Sequence, residues 1–524
     1  MHRLRPHPAT ALAAVLAVGW LLADPPTADL AAQAYRTDLF ERAGFVVWNN
    51  GWYGGHHVPS YSLLFPPLAA LLGPRAVGAL AAIAATWCFE RLLMRLRGPG
   101  DRAARIAALW FATAAVACLL VTGRLTFALG FAVAVGAALA LADGRTGLCA
   151  ALGAVSGLAS PVAAAFLALT VAAWAIAQRR VAAGAALIAA ALLPVILLAA
   201  AFPAGGDFPF VPSSLWPTLG ATLLLLAVLP ARERTLRWGV GLYALAVLAA
   251  GLLPTPMGGN AARLGPLLAG PVAALALLPA RRRLLLALAP ALLYWQLHTP
   301  VDDWLQAAAD PSTRPGYSAS LKRFLNERMR TEGPFRVEIP FTDNHWEAAH
   351  VAGGEDGIPL ARGWERQLDR KVNALFYDRR PLTAERYRRW LRDKAVRYVA
   401  LPDAPIDYSA AREAELVRRG LPYLRPVWRD RHWRVYAVRG AAPLADGARV
   451  TELAPDRVRL AAERPGRVLL RVRFTPYWRL ARGSGCVRRA GDHTELDLRR
   501  AGEVVLEARF APSRVAGGGP YCRG

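Results

Sequence analysis

Residues 48 to 68, WNNGWYGGHHVPSYSLLFPPL, form the stretch of this chain richest in side chains that could bind a polar ligand. It holds two Trp, two Tyr, two His, two Asn and three Gly, and its only ionisable groups besides the tyrosines are the imidazoles. Such a density of rings and amides is unusual in a loop that only joins helices. An interfacial belt is the alternative, since Trp and Tyr gather at membrane surfaces regardless of function.

Acidic residues come shortly before this stretch, in DPPTADLAAQAYRTDLFERAG. Asp24 stands beside two prolines, which is typical of a solvated or capping residue. Asp29 and Arg36 are seven residues apart and therefore share one face of the predicted amphipathic helix, with Asp38 further along it. The family resemblance given below makes Asp29 and Asp38 the candidate catalytic acids.

The elements that must position these residues belong to two regions of different composition. Residues 1–297 carry 21 Lys+Arg and 9 Asp+Glu among long apolar runs, and residues 298–524 carry 42 and 29. Long apolar runs need lipid around them, so the net charge of +25 does not indicate a nucleic-acid partner. We attribute it to arginine-rich composition and to attraction toward anionic lipid headgroups or phosphorylated substrates.

The apolar runs predict an α-helical polytopic membrane domain with about eleven spans. A turn at Ser160-Pro161 divides the run between the basic clusters at Arg145 and Arg179, because one helix of that length would put a cluster on the wrong side. The predicted spans are 10–23, 76–93, 104–122, 125–142, 147–159, 161–177, 181–201, 217–230, 238–253, 266–279 and 284–297.

Sidedness follows from the positive-inside rule. With the N-terminus in the cytoplasm, sixteen basic residues of the membrane domain fall inside and five fall at or beyond the outer face. This predicts a multi-pass protein of the plasma (inner) membrane. Its first exterior loop is 24–75, and an odd number of spans leaves the C-terminal half extracytoplasmic.

The exterior half is predicted to contain an α/β region, 298–447, and a β-sandwich-like region, 448–524. FRVEIPF and VRYVALP read as strands, and TAERYRRWLRDKAV as an amphipathic helix opened by Thr383. From about residue 448, short alternating segments are separated by Pro, Gly and Asp. DNHWEAAH and GWERQLDRK are interpreted as packing segments.

Cysteine and metal chemistry are limited in this chain. Cys88, Cys118 and Cys149 lie in apolar spans and are expected to be small core residues. Cys486 and Cys522 lie in the exterior half, where a disulfide between them is predicted. No metal-ligand spacing or nucleotide-binding glycine loop is present, so no cofactor is predicted, and a divalent metal has no support in the residues.

An acid just after the first span, a long first exterior loop, further spans and a terminal exterior domain resemble the GT-C superfamily. Its members are polytopic glycosyltransferases that use polyprenyl-phosphate-linked sugars. The motif-level match is Asp29, with Asp24 or Asp38 matching less well. Many members carry two adjacent acids, and this chain does not. The resemblance implies transfer of a sugar from a polyprenyl-phosphate donor to a cell-envelope glycan, lipid or protein at the outer face.

That chemistry assigns a role to each candidate residue. Asp29 would take the proton of the acceptor hydroxyl. Arg124 and Arg263, both at predicted outer helix ends, would face the leaving phosphate, as would His56 or His57. Residues 61–72 would flank the lipid. The proposed sugar platform consists of Trp48, Asn49, Asn50, Trp52 and Tyr53, with Tyr61 as a further substrate-binding residue.

Other classes remain open at this stage. A transporter or lipid flippase fits the number of spans, but transporters usually carry ionisable groups at the middle of their spans, and acids are almost absent there. A non-catalytic scaffold of envelope assembly is the third reading. Arg124 and Arg263 would then be interfacial charges whose stems lie along the apolar surface.

Overall fold

The computed structural model describes residues 7–515 and Cys522, and it divides into two compact units. The helical unit is the chain up to Gln33 together with Tyr61–Ala199 and Gly206–Ala309. The strand-rich unit is Ala34–Ser60, Ala200–Gly205 and the chain from Asp310 onward. The segment 24–75, predicted as one loop of the membrane domain, is therefore shared between the units. The last long helix continues past the expected boundary at 297, to Ala309.

Alanine and leucine, which favour helices, dominate the helical unit. Its helices are α1 (Pro8–Ala23), the start of α2 (Ala28–Ala43), α3 (Phe65–Leu72), α4 (Pro74–Arg97), α5 (Arg102–Ala115) with a π-helical turn (Val116–Val121), α6 (Leu125–Ala142), α7 (Thr146–Ala159), α8 (Pro161–Ala177), α9 (Val181–Ala201), α10 (Pro212–Val228), α11 (Arg234–Leu252), a 3₁₀ turn (Gly258–Arg263), α12 (Leu264–Leu277) and α13 (Arg282–Ala309). Ser160 ends α7 and caps α8, where the turn was predicted.

Seven helices among the described residues are long and apolar enough to cross a membrane, or eight if the bent pair α1–α2 counts as one span. The helices at three other predicted spans, α7, α8 and α10, have 14 to 17 residues. A crossing takes about 20 helical residues, so the predicted number of eleven spans is not confirmed. The helical, membrane-type character of this region is confirmed.

The strand-rich unit contains one mixed sheet and two antiparallel sheets besides a short β1–β2 pair. Its strands are β1 (Trp48–Asn49), β2 (His56–His57), β3 (Arg336–Glu338), β4 (Val396–Pro402), β5 (Leu424–Arg429), β6 (Trp433–Val438), β7 (Ala445–Asp446), β8 (Arg449–Leu453), β9 (Arg457–Ala462), β10 (Gly466–Arg473), β11 (Trp478–Arg482), β12 (Gly485–Ala490), β13 (His493–Leu498) and β14 (Gly502–Ala508). Its other helices are α14 (Pro315–Glu332), α15 (Glu347–His350), α16 (Arg366–Val372), α17 (Ala384–Asp393), α18 (Ala411–Arg419) and α19 (Pro512–Val515), with 3₁₀ turns at Pro311–Thr313 and Ala374–Phe376.

The α/β part is the sheet of order β3-β4-β6-β5, in which β3 and β4 are parallel. The helix predicted to open at Thr383 is α17, and the Thr383 hydroxyl accepts a hydrogen bond from the amide of Arg386. Tyr387, Trp390 and Leu391 of α17 pack into the same apolar core as residues of β4, β6 and α18. The amphipathic pattern of this segment thus correctly predicts α17, which packs in the core of the α/β part.

The sandwich part consists of the sheets β12-β13-β10-β7 and β11-β14-β9-β8. Alternate side chains of these strands, such as Leu460, Leu470, Leu496 and Leu506, share one buried core. This is the alternation that predicted strands after residue 448. Trp48, from the aromatic stretch, is also part of this core.

Candidate active site

Asp29 and Arg124 form an ion pair in the helical unit. Asp29 lies in the first turn of α2, and Arg124 immediately precedes α6. Nε of Arg124 lies 3.5 Å from Oδ2 of Asp29, and the Asp29 side chain is 37% exposed. Partly exposed ion pairs add little to stability. The Asp29 side chain is therefore accessible to a ligand.

Gln33 holds the turn that carries Arg124 against α2. This buried side chain donates to the carbonyls of Asp29 (2.9 Å) and Gly123, and its carbonyl accepts from the amide (2.9 Å) and hydroxyl (3.2 Å) of Thr126. Gly123 has φ +71°, and a Cβ there would lie 2.0 Å from the hydroxyl oxygen of Thr27. The site residues predicted from the sequence do not include Gln33, although it stands four residues after Asp29 and thus on the same helix face.

Arg263 joins this pair from a third segment. It ends the 3₁₀ turn before α12, and its guanidinium carbon lies 5.5 Å from the ring centre of Phe127, in the first turn of α6. Its electrostatic neighbours are Asp29, Arg124 and Tyr61. Two guanidinium groups and one carboxylate carry a net charge of +1. The cluster Asp29–Arg124–Arg263 thus suits an anion next to a base.

An apolar cavity of about 240 Å³ lies among helices that include α6 and α12, which follow Arg124 and Arg263. Phe131, one turn beyond Phe127 on α6, lines it, as do Leu264 and Gly265, which directly follow Arg263. Trp295 and Tyr243 lie on its walls. The helices that follow Arg124 and Arg263, α6 and α12, therefore line a space suited to a hydrocarbon chain.

The aromatic stretch is not an exposed sugar platform. Trp52 and Tyr53 are fully buried within the strand-rich unit, and Trp48, Asn49 and Asn50 are at most 2% exposed. Because they are covered by protein, neither the platform nor the interfacial belt describes them.

Internal hydrogen bonds and ring contacts fill the stretch instead. Trp52 stacks on Tyr35 at 4.0 Å and bridges to Leu360, beside β3. Asn50 accepts from the indole of Trp48 and donates to the carbonyl of Ala454, 2.9 Å in each case. This buried stretch thus ties the α/β and sandwich parts of the unit together. The glycines between the rings were the overlooked signal, since a Cβ on Gly55 would meet the Trp48 ring at 2.3 Å.

His56 and His57 are structural residues too. His57 Nδ1 lies 3.2 Å from the carbonyl of Pro203, and Nε2 lies 3.0 Å from the hydroxyl of Thr475. Burial lowers the pKa of His57 to about 4 and holds the pKa of His56 well below its usual value. Both rings are therefore neutral near pH 7, and neither offers a charge to a phosphate.

Asp38 has structural partners as well. Its carboxylate accepts from Arg42 at 2.7 Å and from the amide of Gly354 at 3.1 Å, all within the strand-rich unit. Asp38 is assigned to structure and not to catalysis.

Cys486 and Cys522 form a disulfide with a Cα–Cα distance of 5.1 Å. The described residues contain no group of three or more His, Cys, Asp or Glu side chains placed to hold a metal ion. The cysteines Cys88, Cys118 and Cys149 are free thiols in the helical unit.

No family model matches the chain, and no curated protein matches it. Among solved structures, it is similar to the cryo-EM structure of arabinofuranosyltransferase AftD from mycobacteria, with 19% identity and a TM-score of 0.47 over 87% of this chain and 41% of that one. The structure of a mutant form of that enzyme has 19% identity and a TM-score of 0.47 over 84% of this chain and 42% of that one. The chain spans less than half of these proteins. A TM-score below 0.5 does not establish a common fold, so function rests on the geometry of the site.

Proposed function

We propose that this protein is an integral membrane glycosyltransferase that moves a sugar from a polyprenyl-phosphate donor to a cell-envelope glycan, lipid or protein at the outer face of the membrane. The supporting observation is the meeting of one carboxylate and two guanidinium groups at the start of α6, together with an apolar cavity that α6 and α12 line. A phosphate on a long hydrocarbon chain matches both features.

The transfer follows from the charges of the cluster. The acceptor oxygen attacks the anomeric carbon while the bond from that carbon to the phosphate oxygen breaks. Asp29 takes the acceptor's proton, and polyprenyl phosphate leaves with its new negative charge offset by Arg124 and Arg263. The apolar cavity holds the part of the prenyl chain nearest the phosphate.

Substitution of Asp29 tests this function. Asp29→Asn keeps the size of the side chain but removes the base, so transfer of a radiolabelled sugar should fall about 10²–10⁴-fold. Polyprenyl-phosphate pentoses and hexoses are the donors to assay first with the wild-type protein. Asp24→Asn is the matched control, since Asp24 is 74% exposed and pairs with Arg75 at 2.7 Å. Full activity of a folded Asp29→Asn protein would refute the assignment.

A transporter or flippase would need ionisable groups near the middle of its spans. Glu90 is an acid within a membrane-type helix, and its carboxylate accepts from the amides of Ala9 and Thr10 and the hydroxyl of Thr10. It therefore caps α1. Loss of lipid translocation in Asp29→Asn membranes without any sugar transfer by the wild type would favour a flippase over the enzyme.

A further inference from the structure

A second cavity of the helical unit runs along α6, and its charged lining lies at the opposite end of α6 from Arg124. It has a volume of about 620 Å³ and runs from Leu68 and Leu72 on α3 along α4 and α6 to Arg91, Asp143 and Arg145. Small residues such as Ala84 and Gly136 are among those that line it. Because α6 is about 27 Å long, this end is separated from Asp29 by most of a bilayer core.

The charged end of this groove carries unpaired positive charge. Asp143 pairs with Arg95 at 3.2 Å, but neither Arg91 nor Arg145 has a carboxylate partner among the described residues. Both arginines are exposed, and the Arg91 guanidinium carbon lies 5.7 Å from the ring centre of Trp87. A tryptophan and arginines at one end of a membrane-type helix are typical of the headgroup level.

We propose that this groove is a binding site for an anionic glycerophospholipid of the surrounding bilayer. Its phosphate lies between Arg91 and Arg145, and an acyl chain follows the apolar walls toward Leu68. Basic pockets between membrane helices bind anionic headgroups in this way. Asp143, the carboxylate among the lining residues, is paired with Arg95 at 3.2 Å, and the site binds lipid without reacting with it. This site goes beyond the proposed transferase and does not depend on it.

Native mass spectrometry of the purified full chain tests the site with two probes, phosphatidylglycerol and phosphatidylcholine. Wild-type protein should bind phosphatidylglycerol about tenfold more tightly, and Arg91→Gln/Arg145→Gln should remove that preference. The double variant Arg102→Gln/Arg105→Gln is the control, since these exposed arginines at the start of α5 lie outside the groove. Equal affinity of wild-type protein for both lipids, or equal loss in the control, would overturn the proposal.

The apolar part of the groove has its own test. Ala84 is exposed on the groove wall, so Ala84→Trp should fill the groove without disturbing the core and weaken binding of both lipids. Ala185→Trp, at an exposed position of α9, should leave binding unchanged. Unaltered binding by Ala84→Trp would show that no chain occupies the groove. If polyprenyl phosphate bound at Arg91 and Arg145 more tightly than phosphatidylglycerol, the ligand of the groove would be a substrate lipid, and the proposal of a bilayer lipid would be overturned.

Discussion

At the scale of single residues, positive charge beside Asp29 should stabilise the leaving phosphate. Arg124→Gln or Arg263→Gln removes one group that faces the developing charge, and loss of such a group typically costs about 10²–10³ in rate. Steady-state transfer should show the loss mainly in kcat. Arg124→Lys keeps the charge and should recover part of the activity. If both neutral variants keep wild-type kcat, the phosphate does not bind at this cluster.

His57 gives a second residue-scale prediction, for stability. Its pKa in the folded protein is about 4, below an unfolded value of about 6.5. The unfolded chain therefore binds more protons between these values, and the stability contributed by neutral His57 is present above about pH 6.5 and is lost as the pH falls toward 4. The full loss is about 3 kcal/mol.

Thermal unfolding of the detergent-solubilised chain at pH 7 and pH 5 measures this effect. His57→Gln should lower the melting temperature at pH 7 and reduce its fall toward pH 5. An unchanged difference between the two pH values in the variant would show that His57 is not the group responsible.

At the scale of elements, Gln33 should set the position of Arg124. Gln33→Met keeps the volume but leaves the carbonyl of Gly123 and the amide of Thr126 without their partner. An unsatisfied buried polar group costs about 1–3 kcal/mol, and displacement of Arg124 should lower kcat more than it raises KM. Gln33→Glu keeps the acceptor toward Thr126 but replaces the donor to Gly123 with a second acceptor, so it should not restore activity. A lower melting temperature with unchanged kcat would restrict Gln33 to stability.

The same scale separates what the sequence could predict from what it could not. The charged cluster was predictable because Asp29, Arg124 and Arg263 all stand at ends of apolar runs, and helix ends on one side of a membrane lie at one level. The burial of the aromatic stretch could not be predicted, because its partners, Leu360, Ala454 and Thr475, are some 300 to 425 residues away. The composition of a loop indicates that its side chains make many polar contacts, but it does not show whether their partner is a ligand or another segment of the protein.

At the scale of the whole molecule, arginine placement and the disulfide indicate the same sidedness. The predicted threading places sixteen of the 21 basic residues of the first 297 on the cytoplasmic side. The Cys486–Cys522 disulfide is typical of an oxidising compartment, which agrees with the predicted exterior location of the C-terminal half. The shorter helices α7 and α8 form a hairpin at Ser160, so the predicted sidedness holds whether or not they cross fully. The third shorter helix, α10, must cross for the number of spans to remain odd.

Labelling of single introduced cysteines checks the predicted topology. In a background with Cys88, Cys118 and Cys149 replaced by Ala, Gly100→Cys lies in the exposed turn between α4 and α5, and Arg464→Cys lies in the exposed turn between β9 and β10. A membrane-impermeant maleimide should label Arg464→Cys in intact cells or spheroplasts, and Gly100→Cys only after permeabilisation. If Gly100→Cys were labelled in intact cells and Arg464→Cys only after permeabilisation, the strand-rich unit would lie in the cytoplasm. It would also move the Asp29–Arg124–Arg263 cluster away from the envelope acceptors, and the proposed transferase would fail with it.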